Sequence, residues 1–177
     1  MKLIFLDFDG VINSHKFLAS VHYGEADDGF YDVQREAEFF AANPGLDRID
    51  LRQLDPTRVA LINEIIEATG AKVVVSSSHR YGKSVAQLQA ILEYHGFKGE
   101  VVGKTPDMFD SLVDFVGRED EIVGFLCFDA ASVSCSCFII IDDCPMDAYA
   151  DRAVTTSLST GITPDHVKQA IVLLNAE

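Results

Sequence analysis

The chain opens on Lys2 to Phe8, where Leu, Ile and Phe occupy both parities, the pattern of a strand buried on both faces of a parallel sheet. It stops at Asp9-Gly10. From Asp55-Pro56-Thr57 the period changes: Asp55 caps, Pro56 suits the first helical position, and Val59, Leu61, Ile62, Ile65 and Ile66 form an apolar face up to Gly70. Lys72 to Val75 then reads as a second buried strand, ending in Ser76-Ser77-Ser78. Ser84 caps a helix carrying Val85, Leu88, Ile91 and Leu92 and closed by Gly96, after which Val101-Val102 is a short strand. Arg118 to Phe128 has helical spacing, and Phe138 to Ile141 is the clearest central strand, running straight into Asp142-Asp143. A weak strand at Ala153 to Thr155 and a helix from Thr163-Pro164 through Leu174 complete the series. Alternating strands and helices predict an α/β fold, a doubly wound parallel sheet with helices on both faces.

Residues 14–54 break the alternation. They carry Phe17, Leu18, Phe30, Tyr31, Phe39 and Phe40, together with eight acidic residues between Glu25 and Asp50 against only Arg35 and Arg48. A connection this long inside a compact domain is usually functional or mobile, so the segment reads as a flap or small cap insertion after the first strand, its acidic residues forming a solvated surface.

Composition narrows the picture. A length of 177 residues suits one domain, 1–177, since such units take roughly 100 to 200 residues. A hydrophobic share of 48% excludes disorder as a description of the whole. The net charge of −14 has the wrong sign for a protein held to nucleic acid by a broad basic face, so an anionic partner must be met locally. A charge-free run such as Ala130 to Ile141 reaches twelve residues, short of the roughly 20 that cross a bilayer, so no membrane partner is expected. Asp7 interrupts the apolar start too early for a secretory signal, which places the protein in the cytoplasm with Cys127, Cys135, Cys137 and Cys144 as thiols. The sequence sets no oligomeric state.

Ligands of doubly wound sheets bind outside the carboxyl ends of the strands, and three of those ends are polar here. Asp7 and Asp9 close the first strand, Ser76 and Ser77 the second, and Asp142 and Asp143 the strand from Phe138 to Ile141. Four carboxylates gathered at one edge repel and raise one another's pKa unless a cation sits among them, and oxygen-only donors select a hard ion, Mg2+ before Zn2+. Asp7 can then act as a nucleophile toward phosphorus, with Asp9 handling the proton two residues on. Gly10 permits the bend that turns both acids toward a ligand. Ser76, or Ser77 if the strand ends one residue later, offers a hydroxyl to a phosphoryl oxygen. A fixed positive charge is still needed, and Arg118 and Lys104 are the candidates. Ser77, Lys104 and Arg80 are candidate substrate contacts. His79, Asn13 and His15 read as solvent-facing, and Cys144 as a packing residue.

Phe5-Leu6-Asp7-Phe8-Asp9-Gly10-Val11, Val73 to Ser76, and Ile140-Ile141-Asp142-Asp143 resemble the first, second and fourth motifs of the haloacid dehalogenase-like (HAD) superfamily, in order and in strand context. Within it, Ser76-Ser77-Ser78-His79-Arg80, Gly103 to Pro106, Arg118-x-x-Glu121-Ile122 and Gly161-Ile162-Thr163 resemble the small HAD domains of Swiss Army Knife RNA repair proteins. The resemblance implies a Mg2+-dependent phosphatase in which Asp7 attacks phosphorus and Asp9 is acid and then base. The ion would be held by Asp7, the Asp9 carbonyl, Asp142 and Asp143, and Ser76 would bind the phosphoryl group. For the third motif, where the family usually has Lys, the interval before Asp142 favours Arg118 over Lys104. It further implies a phosphorylated substrate, with RNA or DNA ends as first choice and small nucleotide or sugar phosphates second. A non-catalytic metal-binding module is the rival reading.

Overall fold

The β-branched runs pair side by side. In the computed structural model, which describes residues 1–22, 32–107, 117–129 and 134–176, strands β1 (Lys2–Leu6), β2 (Lys72–Val75), β3 (Val101–Lys104), β4 (Cys137–Asp142) and β5 (Ala153–Thr155) form one sheet. All pairings are parallel, in the order β3-β2-β1-β4-β5. β1 is two residues shorter than the apolar run because the Phe8 carbonyl accepts from the N–H groups of Val11, Ile12 and Asn13, which turns the chain at once. Side-chain alternation divides the core: Ile4, Leu6, Val73, Val75, Ile139 and Ile141 face one way, and Leu3, Phe5, Val74 and Ile140 the other.

Register fixes what stands at the strand ends. Leu6 is opposite both Val75 and Ile141, so Asp7, Ser76 and Asp142 follow in one row. The chain leaves β1 on one side for β2 and β3 and returns on the other for β4 and β5, which puts the topological switch point between β1 and β4, where such sheets bind ligands.

The helices start where their caps dictate. Asp55 accepts from Thr57 N at 2.8 Å to begin α4 (Pro56–Thr69), which ends at Gly70 in the left-handed region, φ 68°. Ser84 and Gln87 form a capping box on α5 (Val85–Tyr94), and Pro164 opens α7 (Pro164–Asn175). Residues of α4, α5 and α7 pack on the larger apolar face, while Ile122 and Phe125 cover the smaller one. The helix expected over 118–128 is α6 (Arg118–Gly124) followed by a π-helical turn, Phe125–Asp129. Among the described residues no helix is long and apolar enough to cross a membrane.

The 14–54 insertion is helical where it is described: α1 (His15–His22), α2 (Val33–Ala42) and α3 (Arg48–Arg52). Phe30, Tyr31 and the acids 25, 27 and 28 lie outside the described residues. Its ends meet, Asp55 N donating to Ile12 O at 2.9 Å. The expectation of a purely solvated acidic surface is corrected, because Glu36 is 1% exposed and takes a fork of two 3.0 Å bonds from Arg52 plus an ion pair from Arg48. The second half is docked on α5: Phe39 packs edge-on to Tyr94, Asp50 pairs with Lys83 at 2.8 Å, and Leu46 and Leu54 join the main core.

His95, at the end of α5, seals this junction. It is 6% exposed and its Nε2 donates to Leu51 O at 2.7 Å, and burial drives its pKa down to about 4. The unfolded chain therefore binds the proton first on acidification. The stability this neutral imidazole confers is intact above about pH 6.5 and is lost as pH falls toward 4. Between pH 7 and 4.5 the wild-type protein is expected to lose about 2 kcal/mol more unfolding free energy than His95→Gln, read from urea midpoints. Equal losses in the two proteins would refute this.

Candidate active site

Asp7 stands at the end of β1, 3% exposed, its Oδ1 accepting from Phe8 N at 2.8 Å, with the nearby Ser77 side chain helping to favour the ionised form. Across the switch point Asp142 ends β4, with Oδ1 held by Cys144 N at 2.9 Å. Arg118, the first residue of α6, reaches both acids: Nη2 lies 3.5 Å from Asp7 Oδ2, Nε lies 3.4 Å from Asp142 Oδ2, and Nη1 donates to the Ser76 carbonyl. One planar guanidinium thus spans the ends of three strands. Of the two cations the sequence offers, Arg118 is the one at the carboxylates. Lys104 turns away, its Nζ donating to the Lys83 and Arg80 carbonyls at 2.6 and 3.3 Å, where it ties the turn after β2.

Even with Arg118 present, these acids are uncomfortable. Burial, then the neighbouring Asp7, pushes Asp142 up to about 7, and burial raises Asp7 against the pull of Arg118. Asp142 Oδ2 has no hydrogen bond, and neither does the fully buried Ser76 Oγ. Buried polar atoms left so cost about 1–3 kcal/mol each, and a ligand supplying a cation and an acceptor would satisfy both. Asp143 closes the same corner: a Cβ added at Gly10 would come within 2.7 Å of the Asp143 Cβ, and Gly10 has φ 67°. Gly10 is therefore needed for its conformation and also for the close approach of the β4 loop. The ligand atoms of Asp142, Asp143 and Cys144 lie within 4.8 Å of one another. With Asp7 opposite, three carboxylates outnumber the Cys144 thiol, a set that fits a hard divalent cation better than a soft one.

Asp9 is more open. Its Oδ1 accepts from Asn13 Nδ2 at 2.7 Å and lies 3.3 Å from His79 Nε2, and the bond with His79 is the main cause holding its pKa below the usual carboxylate value. Asn13 and His79 were expected to face solvent. Instead Asn13 is buried and also accepts from Gly10 N, bracing the turn after β1, and the His79 ring lies against Phe8. The sequence did hold a signal for Asn13, which lies four residues after Asp9 in a stretch whose short amide side chain bonds locally. Nothing in the sequence paired His79 with Asp9.

Arg80 does not stand where a substrate contact was expected. It is 1% exposed, donating to the Thr105, Ser77 and Pro106 carbonyls at 2.9, 2.8 and 3.1 Å and to Glu121 Oε1. It clamps the loops after β2 and β3 to α6, and so fixes the helix that carries Arg118. Ser77, the other candidate substrate contact, caps the short turn Ser78–Arg80, its Oγ accepting from His79 N at 3.4 Å. Between that turn, the start of α6 and the loop after β4 lies an open groove of about 450 Å3, with Arg118 on its wall.

Acids and a serine edge at the switch point of a five-stranded parallel sheet are what the HAD motifs lead one to expect, and Arg118 stands where the family usually has Lys. No curated protein and no solved structure matches the chain. Residues 3–167 match the family model of the HAD domain in Swiss Army Knife RNA repair proteins, and the chain belongs to that family.

Proposed function

We propose that the protein is a Mg2+-dependent phosphomonoesterase working through an aspartyl-phosphate. Family membership supports HAD-type hydrolase chemistry, and the family generally uses Mg2+. The observation that carries the finer reading is Arg118 bridging Asp7 and Asp142 beside two buried oxygens without hydrogen bonds. In this reading Asp7 Oδ2 attacks phosphorus, its bond forming as the bond to the leaving oxygen breaks, and Asp9, whose bond with His79 favours the carboxylate, takes up a proton from solvent and passes it to that oxygen. Asp9 then takes a proton from water, whose oxygen bonds phosphorus and releases Asp7. Arg118 and the Ser76 hydroxyl hold phosphoryl oxygens, the guanidinium gripping with a planar fork where most relatives offer a lysine point charge. Asp7, the Asp9 carbonyl, Asp142 and Asp143 would hold Mg2+. When bound, the ion offsets the negative charge of the acids and the phosphoryl group.

The match to a domain of RNA repair proteins favours a terminal phosphate of RNA or DNA as substrate. The net charge of −14, with Glu119 and Asp120 lining the groove beside Arg118, favours contact with few phosphates, which also suits a small nucleotide or sugar phosphate. The protein is proposed to act in the cytoplasm.

Phosphate release from p-nitrophenyl phosphate is expected to require Mg2+ and to stop with EDTA. A second readout tests the acids themselves. Because the folded-state pKa of Asp142 is raised, the folded protein holds a proton that the unfolded chain has lost, so metal-free stability declines as pH rises through about 7. Mg2+ should therefore raise the melting temperature much more at pH 8 than at pH 5. A Mg2+ shift of this kind without turnover of any ester would favour the metal-binding module, and neither effect would overturn both readings.

A further inference from the structure

We infer that Tyr81 is the stacking platform for the base of a nucleotide whose phosphate is bound at Asp7 and Arg118; the inference rests on the phosphomonoesterase reading and adds the leaving group. Tyr81 is 47% exposed at the carboxyl edge of the sheet and lines the same groove as Arg118. The one other large aromatic this exposed among the described residues, Phe128, belongs to the π-helical turn and does not line that groove. The ring is not loose. The Arg80 guanidinium lies 4.5 Å from its centroid, and Arg80 Nη2 donates to its hydroxyl at 3.4 Å. Arg80 is itself buried and fixed by three carbonyls and Glu121, so one face of the ring is backed by an immobile cation. Tyr81 is about half exposed, and an aromatic held this way loses little freedom when a second plane stacks on it.

The surroundings select what that plane belongs to. The groove, about 450 Å3, is of small-ligand size, and Pro145 and Met146 give it an apolar wall. Tyr81 follows Ser76 and Ser77 across the turn Ser78–Arg80, and a ligand that meets both the acids and the ring needs a spacer between phosphorus and plane, as a sugar joins the phosphate and base of a nucleotide. Every base has a face that stacks, without regard to sequence. Glu119 and Asp120 on the same wall repel further phosphates, which confines the favourable contact to one nucleotide, whether free or at the end of a strand.

The test compares wild type with Tyr81→Leu, which keeps apolar bulk, and Tyr81→Phe, which keeps the ring. Substrates are glycerol phosphate, nucleoside 3'- and 5'-monophosphates, and oligonucleotides phosphorylated at either end, all with Mg2+. Tyr81→Leu should lower kcat/KM for the nucleotides by roughly tenfold to a hundredfold more than it lowers that for glycerol phosphate, the size of base-to-aromatic stacking. Tyr81→Phe should resemble wild type throughout. Calorimetric affinities of the monophosphates are measured on the same three proteins in the Asp7→Asn background, so that the platform is read without turnover. Weaker nucleotide binding by Tyr81→Leu supports the platform even if no ester is hydrolysed, a result that would sink the phosphatase reading alone. Equal affinities, or equal slowing of glycerol phosphate and nucleotides, would overturn the platform and leave the phosphatase standing. Oligonucleotide ends bound more tightly than mononucleotides would identify a polynucleotide end as the source of the base, and the reverse order a free nucleotide.

Discussion

Replacing Asp7 with Asn is expected to lower kcat for phosphate release by on the order of 10^4-fold or more without unfolding the protein. The amide is nearly isosteric and can still accept from Phe8 N, but its oxygen is no nucleophile toward phosphorus. Its effect on stability should run against its effect on activity. Asp7 is buried beside Asp142 and raises the cost of ionising it. Removing one charge lets Asp142 ionise beside Arg118 alone, so the melting temperature in EDTA should hold or rise. Loss of activity with a preserved or raised melting temperature separates a nucleophile from a structural residue. Activity within tenfold of wild type would show that phosphorus is attacked by some other group.

Much of this site is written in the sequence, because parallel pairing converts sequence position into spatial position. Three apolar runs ending in Asp7, Ser76 and Asp142 need only pair in register for those residues to fall in a row. The pairing of charges is harder to read. Eight acids in the 14–54 segment suggested a solvated surface, yet Glu36 is buried by Arg48 and Arg52, which lie twelve and sixteen residues further on. Arg118 and Lys104 were alternatives in the sequence, and what separates them is direction. Lys104 ends β3 opposite Val75 and is taken up by the carbonyls of the turn at 80–83, whereas Arg118 begins a helix aimed at the switch point. Arg80 departs from the expectation of a substrate contact for a related reason. A cation just past a strand end reads as a substrate contact, and only the folded chain shows that three carbonyls and a carboxylate already claim its donors.

That clamp leads to the second large effect. Arg80→Met is expected to destabilise the protein by about 3–5 kcal/mol, because it leaves Glu121 buried without its cation and strips donors from the Ser77, Thr105 and Pro106 carbonyls. For a domain of this size the melting temperature should fall by roughly 10 °C or more. Arg80→Lys should recover little of this, since one ammonium cannot reproduce a fork that bonds in several directions in one plane. The double variant Arg80→Met/Glu121→Leu should recover part, because it removes the stranded charge but not the stranded carbonyls. Activity should not follow stability back. With the clamp gone, α6 loses its tie to the β2 and β3 loops and Arg118 its fixed place between Asp7 and Asp142, and a displacement of about 1 Å at a reacting centre can cost about 10^2-fold. The double variant should therefore regain melting temperature while kcat stays low. A single Arg80→Met protein that melts within 2 °C of wild type would show that the buried pair does not hold the helix in place.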